Sequence, residues 1–349
     1  MKILIASILP IDDIKSWSGI CNAVYTQLSE NHEVKICYSS YAHKAQKQLA
    51  KYSYIYNKIT GKRLNVYFSG SVAKLYGKAL KHKEESFQPD LILCLGSGTE
   101  VFDYTPKTKT YLVADACFSL LKNEYASYSN LTDKATKEAE EVEKMSIAKF
   151  DTVFATSDWA KDGFLKGYPT LNCKIINFGS NIPSHGLSQL DLPKRVTNIR
   201  LLTVGIDYKR KGIDKAEDLQ RLLDCHLEII GIDKKLDKAK KSDLKKLMYF
   251  YASAHFFVLF PTADCTPIVI NEANSFGLPV IAFNVGGIGS MIINGVNGHL
   301  VKDLAEAKEV ILKYSNSNSE YNALRTSSYK YYKENLSYSV FEQKLLESF

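Results

Sequence analysis

The sequence lacks long apolar runs, paired cysteines and an export signal. No stretch approaches the roughly 20 apolar residues that a membrane-spanning helix requires. The seven cysteines include no CxxC pair and no regular spacing, which indicates free thiols in a reducing compartment. The N-terminal MKILIASILP has no small-residue cleavage site, so we expect a first strand there and not a signal peptide. These absences favour a cytoplasmic protein.

Several ligand-binding motifs are missing as well. Gly96 and Gly98 begin a GxG, but Val101 stands where a dinucleotide fingerprint has its third glycine. The chain has no Walker lysine pattern and no DxD-like acid pair in a suitable loop. No RNP-like, zinc-knuckle or helix-turn-helix signature occurs either. We therefore expect no dinucleotide cofactor, no bound metal and no nucleic-acid partner.

Acidic residues are absent between Val34 and Lys83, where eleven Lys and Arg are interleaved with seven tyrosines. Such a segment attracts anionic lipid headgroups or phosphate-bearing acceptors, although a solvated helix face would also be cationic. The candidate acceptor- or membrane-contacting residues are Lys44, Lys47, Lys51, Lys58, Lys62, Arg63, Lys74 and Lys78.

What is present is an alternation of short apolar runs with polar stretches, and the polar stretches have the residue spacing of helices. MKILIAS, HEVKICYS and DLILCLGS begin the series, and IRLLTVG, HFFVLFP and LPVIAF continue it after a break. The alternation predicts parallel sheets covered on both faces, and 349 residues suit two domains. We predict an α/β protein with two doubly wound, Rossmann-like domains facing each other across a cleft.

The predicted division of the chain follows from composition. An N-terminal domain covers 1–182, and a Pro-containing linker without periodicity covers 183–198. A C-terminal domain covers 199–332. An amphipathic helix at 333–349 is predicted to return and close the N-terminal domain.

Two loops after predicted strands carry charged residues, and parallel sheets bind ligands at the carboxyl ends of their strands. In GIDYKRKG, Lys209, Arg210 and Lys211 come just before a helical stretch, which suits a phosphate, although such cations are often only solvated. In ADCTPIVINE, an acid stands on each side of a proline that suits a first helical turn. Asp264 and Glu272 could accept hydrogen bonds from sugar hydroxyls, or be a helix cap and a locally satisfied buried acid.

The run DCTPIVINEANSFGLPVIAFNVGGI, followed by NGVNGHLV, resembles the signature of the retaining GT-B glycosyltransferases of family four. SWSGI, VADACFSLL, VFATSDWAKDGFL and VGIDYKRKG fall in the order that this family uses, so the resemblance spans nearly the whole chain. It implies a nucleotide-sugar donor in the C-terminal domain and an acceptor in the N-terminal domain.

The resemblance also implies roles for individual residues. Glu272 would bind the ribose and Asp264 the donor sugar, while Lys211, with Arg210 as a second cation, would contact the diphosphate. Gly19 would belong to the loop that approaches the donor, and Asp115 stands where many relatives have a histidine near the reacting sugar. The remaining candidate donor contacts are Cys265, Thr266, Pro267 and Ile268.

Three positions depart from the family pattern. Asp264 is one methylene shorter than the usual Glu, which puts the identity of the sugar in question. Ile206 follows Gly205 where an arginine is common, so Arg210 is the expected substitute. Ser290 stands near the place of an acid that often follows the Gly-Gly pair.

The function implied is retaining, metal-independent hexosyl transfer from a nucleoside-diphosphate sugar, with UDP favoured over GDP. The expected acceptor is a cell-envelope glycan or a lipid-linked molecule in bacterial polysaccharide or lipopolysaccharide biosynthesis. The protein would then be peripheral on the cytoplasmic face of the inner membrane. The alternatives are a nucleotide-sugar epimerase or hydrolase on the same fold and a non-catalytic two-domain sugar-binding protein. The sequence leaves the oligomeric state open.

Overall fold

The structure is a computed structural model that describes residues 1–11, 13–14, 16–183, 196, 198–232, 236 and 240–349. The chain divides into an N-terminal unit, Met1–Ile176 with Ser348–Phe349, and a C-terminal unit, Asn177–Glu347. Each unit has a parallel β-sheet with helices in the connections. The prediction of two doubly wound α/β domains is confirmed. Within the described residues, no helix is both long enough and apolar enough to cross a bilayer.

The N-terminal unit has a six-stranded sheet in the order β2-β1-β3-β4-β5-β6, and each neighbouring pair is parallel. Its strands are β1 (Lys2–Ala6), β2 (Glu33–Cys37), β3 (Leu91–Leu95), β4 (Lys109–Ala114), β5 (Thr152–Ala155) and β6 (Cys173–Ile175). Its helices are α1 (Ile20–Ser29), α2 (Ser40–Thr60), α3 (Gly70–Phe87), α4 (Phe118–Glu124), α5 (Asp133–Ile147) and α6 (Asp158–Gly167).

The C-terminal unit has a five-stranded parallel sheet in the order β11-β10-β9-β7-β8. Its strands are β7 (Arg200–Val204), β8 (His226–Ile230), β9 (Phe256–Leu259), β10 (Val280–Phe283) and β11 (Gly298–Val301). Its helices are α7 (Ile213–Leu223), α8 (Lys241–Ser253), α9 (Ile268–Ser275), α10 (Leu304–Ser315), α11 (Asn318–Asn335) and α12 (Tyr338–Leu346).

Apolar side chains cover both faces of the C-terminal sheet. On β9, Phe256 and Val258 belong to one buried cluster, and Phe257 and Leu259 belong to another. Successive side chains of a strand point to opposite faces, so a continuous apolar run builds a core on each side. This explains why HFFVLFP is almost entirely apolar and shows no alternation of apolar and polar residues.

The predicted helix at 333–349 is wrong in its extent, because the chain leaves the helical conformation at Leu336 and starts again. Ser337 caps the new helix, α12, and its hydroxyl accepts a hydrogen bond from the Val340 N–H at 3.4 Å. Most of 333–349 belongs to the C-terminal unit, and only Ser348 and Phe349 belong to the N-terminal unit. There, the Phe349 carbonyl accepts a hydrogen bond from Lys109 Nζ at 2.6 Å.

The segment Asn177–Ile182 belongs to the C-terminal unit, although the sequence-based division assigned it to the first domain. The Phe178 carbonyl accepts a hydrogen bond from the Asn271 amide at 2.9 Å, and the Phe178 ring stacks on Phe341. These contacts account for the assignment. The predicted linker at 183–198 lies mostly outside the described residues and stays a prediction.

Candidate active site

Three loops of the C-terminal unit follow strands that are neighbours in its sheet, in the order β10-β9-β7. They are 205–212 after β7, 260–267 after β9 and 284–290 after β10. Parallel strands end at the same edge of a sheet, so these loops meet there. The edge contains most of the residues that the sequence singled out.

Two glycines let these loops lie backbone against backbone. Gly212 has a φ of +68°, and a Cβ atom there would come 1.8 Å from the Phe260 carbonyl oxygen. Gly286 has a φ of +57°, and its Cβ would lie 2.0 Å from the Asp264 carbonyl oxygen. The next residue, Gly287, donates its N–H to that oxygen at 3.1 Å. The backbone of Asp264 is therefore held in place by the loop after β10.

Arg210, Lys211 and Asp264 form a charged cluster, here called the Lys211 cluster. Lys211 Nζ lies 2.5 Å from Asp264 Oδ2, and an Arg210 guanidinium nitrogen lies 4.0 Å from the same oxygen. The side chains of Lys211 and Asp264 are 15% and 8% exposed, so little water screens their attraction. Arg210 also donates to the Ala263 carbonyl at 3.2 Å and pairs with Asp207 at 3.2 Å.

Lys209 is separated from this cluster, although it is adjacent in sequence. Its Nζ pairs with Asp214 at 2.9 Å, and its side chain is 78% exposed. Ile206, at the position where the family resemblance led us to expect an arginine, is also exposed. Of the three consecutive cations, the structure brings Arg210 and Lys211 to Asp264 and turns Lys209 toward α7.

Two helices begin at this edge without a side-chain cap. α7 follows Gly212 and α9 follows Pro267, and neither N-terminus has a side-chain hydrogen bond from its N-cap residue. The proline precedes the first helical residue, Ile268, as its fixed φ favours. Helix N-termini carry partial positive charge and N–H donors, which attract anions. Thr266 is half-buried, and Cys265, Pro267 and Ile268 are buried.

Glu272 lies on α9 and is fully buried. Its Oε2 accepts a hydrogen bond from the Tyr251 hydroxyl at 2.9 Å, and the Tyr251 ring stacks between Phe257 and Phe276. Burial and the adjacent carboxylate raise the pKa of Tyr251 well above its usual range. The predicted ribose contact of Glu272 stays a prediction. The sequence reasoning missed Tyr251, whose only signal is its place four residues before the HFFVLFP run.

Gly19 and Asp115 lie in the N-terminal unit, at loops that follow β1 and β4. Gly19 has a φ of +87° and directly precedes α1, and both Trp17 and Ser18 also have left-handed backbone conformations. Left-handed conformations cost non-glycine residues energy and persist only where the surroundings impose them. The Trp17 indole N–H donates to Asp115 at 3.1 Å, which ties this loop to the predicted catalytic residue. Trp17 was visible in SWSG but had no assigned role.

Glu100, in the GSGTE loop after β3, was not predicted as a site residue. It is fully buried, and no side chain within the described residues donates a hydrogen bond to its carboxylate. Burial raises the pKa of Glu100 to about 7. No group of three or more His, Cys, Asp or Glu in the described part of the chain is arranged to hold a metal ion.

Residues 188–331 match the model of a known protein family, described as Glycosyl transferases group 1. The matched range contains the whole Lys211 cluster, both uncapped helix N-termini and Glu272. The C-terminal unit carries a group 1 glycosyltransferase domain. Within this group 1 domain, the GLPVI run leads into β10. The Gly-Gly loop that follows β10 holds the Asp264 backbone.

Solved structures resemble the whole chain and not only its group 1 domain. Sucrose-phosphate synthase from Thermosynechococcus elongatus has a TM-score of 0.65 at 14% identity, covering 99% of this chain and 98% of that one. WaaG, a glycosyltransferase involved in lipopolysaccharide biosynthesis, has a TM-score of 0.62 at 16% identity, with coverage of 99% and 98%. These likenesses confirm the GT-B fold.

Sequence comparison adds one more relative. An uncharacterized glycosyltransferase of Haemophilus influenzae is 24% identical over 177 residues. The match covers 45% of this chain and 48% of the relative, so it spans about half the length of each.

Proposed function

We propose that this chain is a retaining, metal-independent glycosyltransferase that moves a sugar from a nucleoside-diphosphate sugar to an acceptor. The observation that carries the proposal is the Lys211 cluster, placed beside two uncapped helix N-termini in a group 1 domain. Two cations and two helix dipoles suit a diphosphate, and a carboxylate next to them suits sugar hydroxyls. The enzyme class is supported by the family match.

The proposed chemistry concerns the charge that grows on the leaving diphosphate. The bond between the anomeric carbon and the phosphate oxygen breaks, and a bond to the acceptor oxygen forms on the same face. The departing phosphate oxygen takes the acceptor proton, so charge and atoms balance. Lys211, Arg210 and the N–H groups at the start of α9 stabilise the departing oxygen, and one such donor contributes about 2.7–4 kcal/mol to lowering the barrier. We assign to Asp115 the positioning of the donor sugar.

Lys211 has an ion-pair partner that a bound donor would compete with. Without donor it pairs with Asp264 at 2.5 Å, and a diphosphate would compete for the same ammonium group. We propose that donor binding moves Lys211 toward phosphate and leaves the Asp264 carboxylate to accept hydrogen bonds from the sugar. Because the cations neutralise the diphosphate, no metal ion is required. We favour UDP over GDP as the nucleotide.

For the acceptor we propose an envelope glycan or lipid-linked molecule, bound by the N-terminal unit at the cytoplasmic membrane face. The cationic residues from Lys44 to Lys78 lie on α2, on α3 and between them, and most are exposed. Arg63 is half-buried, and Lys74 lies 3.9 Å from Asp103. The likeness to WaaG supports an envelope role, since that protein is described as acting in lipopolysaccharide biosynthesis.

The decisive test compares Lys211→Met with Lys209→Met, because both residues lie in the loop after β7 but only Lys211 contacts Asp264. We expect Lys211→Met to lower the turnover number on the order of a hundredfold to a thousandfold. Lys209→Met should stay within about twofold, as expected for an exposed ion pair. Equal effects of the two substitutions would contradict the assignment.

The substrates are identified with a thermal-shift panel of nucleoside diphosphates and their sugars. A ligand at a hundred times its dissociation constant stabilises the folded chain by about 2.7 kcal/mol. Turnover with the stabilising donor should need an acceptor and should persist in a metal chelator. Release of free sugar or of an epimer without acceptor would indicate the hydrolase or epimerase alternative, and binding without turnover would indicate a sugar-binding protein.

A further inference from the structure

The outer face of α2 exposes large apolar side chains. Tyr41, Tyr52, Ile55 and Ile59 are 71%, 68%, 55% and 79% exposed. Positions 52, 55 and 59 have the i, i+3, i+7 spacing of one helix face, and 41 lies three turns before 52 on the same side. These four residues are called the apolar stripe. Isoleucine is usually buried, so two exposed on one face are unusual for a surface that meets only water.

Four lysines form a second line on the same exposed side of α2. Lys44, Lys47, Lys51 and Lys58 have spacings of 3, 4 and 7 residues, which place them side by side along the helix. They are called the lysine stripe. α2 itself contains no Asp or Glu, and none of the four pairs with an acid in the described part of the chain.

The opposite face of α2 attaches the helix to the N-terminal unit. Ala42 packs in a buried cluster with Val72 and Tyr76 of α3. Ser53 is buried, and its hydroxyl accepts a hydrogen bond from the Leu64 N–H at 3.0 Å. Ser39 caps the start of the helix through the Ala42 N–H. The fold is therefore secured by the inner face, and the apolar stripe is not part of the core.

We propose that α2 lies in the plane of an anionic membrane, with the apolar stripe between the lipid headgroups and the lysine stripe on their phosphates. At about 1.5 Å per residue, the 21 residues of α2 provide roughly 30 Å of contact. Tyrosine suits the interface because its ring is apolar and its hydroxyl is polar. An interfacial helix of this kind combines apolar burial with attraction to acidic lipid.

This inference assigns the membrane contact to α2 alone, and not to the whole cationic region from Lys44 to Lys78. Only its link to a lipid-borne acceptor rests on the proposed function. Membrane binding is measured without any nucleotide sugar, so its failure and the failure of glycosyl transfer are distinguishable.

The test is co-sedimentation of the full chain with vesicles of phosphatidylcholine alone, or of equimolar phosphatidylcholine and phosphatidylglycerol. We expect binding to the anionic vesicles only, and weaker binding as salt screens the charges. Replacing the four stripe lysines with glutamine should weaken binding by roughly six hundredfold and remove most of the salt dependence, since each lysine contributes about fivefold and the four factors multiply.

The apolar stripe is tested separately by Ile55→Ser/Ile59→Ser. We expect binding to fall more than about tenfold while the salt dependence remains, because only the apolar contribution is lost. Tyr52→Ser is matched with Tyr249→Ser on α8, a tyrosine of similar exposure at 64%. Tyr52→Ser should weaken binding, and Tyr249→Ser should not. Melting temperatures close to that of the parent would show that these surface variants fold.

Several results would overturn the proposal. They are equal binding to both vesicle types, equal effects of Tyr52→Ser and Tyr249→Ser, and a dimer that Ile55→Ser/Ile59→Ser dissociates. Tight binding of an oligonucleotide that the isoleucine variant leaves unchanged, without vesicle binding, would assign the surface to nucleic acid instead.

Discussion

Asp264 has a carboxylate that two cations share. Its Oδ2 lies 2.5 Å from Lys211 and 4.0 Å from Arg210, and its backbone carbonyl is held by Gly287. The side chain can therefore change partners while the backbone stays fixed.

Asp264→Asn removes the negative charge at nearly constant volume. We expect the affinity for the nucleoside diphosphate to stay the same or rise, because Lys211 loses a competing carboxylate. Turnover should fall on the order of a hundredfold, because an amide accepts weaker hydrogen bonds from the sugar hydroxyls. Calorimetric titration and initial rates measure the two effects. A loss of diphosphate affinity would show that Asp264 acts mainly by holding the loop.

The sequence pointed to the charged residues of this sheet edge but not to their partners. Asp264 and the group Lys209, Arg210 and Lys211 were singled out because a strand-end loop and a helix start can be read locally, and the choice of Lys211 within that group came from the family resemblance. Tyr251 lies 21 positions from Glu272, and Trp17 lies 98 positions from Asp115. Such pairs form only when the sheet brings distant loops together, and no local pattern encodes them.

At the level of elements, α9 is held at both its side and its end. Tyr251 of α8 donates to Glu272 in the middle of the helix. Arg325 of α11 is buried and donates to the Phe276 and Gly277 carbonyls at 3.4 and 3.2 Å, just beyond the C-terminus of α9. A cation there is favourable because helix C-termini carry partial negative charge. These contacts from α8 and α11 fix the position of α9 in the C-terminal unit.

Glu272→Gln and Tyr251→Phe separate a binding role from a structural one. The glutamine retains an oxygen for the Tyr251 hydroxyl, so we expect a small change in the free energy of unfolding and a clear loss of diphosphate affinity. The phenylalanine deprives a buried carboxylate of a donor, which should cost about 1–3 kcal/mol of stability. Urea unfolding and titration with the nucleoside diphosphate provide the two readouts. Unchanged affinity in Glu272→Gln would make the ribose assignment wrong.

At the scale of the whole molecule, stability should depend on pH, because the N-terminal unit contains two acids whose burial favours their protonated form. Burial raises the pKa of both Glu100 and Glu143 to about 7. Glu143 accepts hydrogen bonds from the Phe118 N–H at 2.6 Å and the Tyr168 hydroxyl at 2.9 Å. Glu100 has no side-chain donor among the described residues.

These pKa values predict a loss of stability at higher pH. Between pH 4.5 and about 7, the folded chain holds a proton that the unfolded chain has released, so unfolding becomes easier as pH rises and levels off above 7. The loss amounts to about 3 kcal/mol for each acid. Glu100→Gln should stabilise the unit at pH 8 and have little effect at pH 4. Thermal unfolding at both pH values tests this, with Glu143→Gln as the comparison: unlike Glu100→Gln, it should destabilise at pH 4, because the amide cannot accept both the Phe118 and the Tyr168 hydrogen bonds. A pH-independent effect of Glu100→Gln would contradict the prediction.

The sequence by itself determined the two parallel-sheet units, the strand-end loops and the identities of Asp264, Lys211 and Glu272 as residues to examine. Periodicity, proline, glycine and charge act over a few residues, and they can be read without the fold. Tertiary structure alone decided that Lys211 pairs with Asp264 while Lys209 does not. It also decided that Glu272 is buried against Tyr251. Those outcomes depend on which distant backbones pack together, and that packing is set by the sheet order and not by neighbours along the chain.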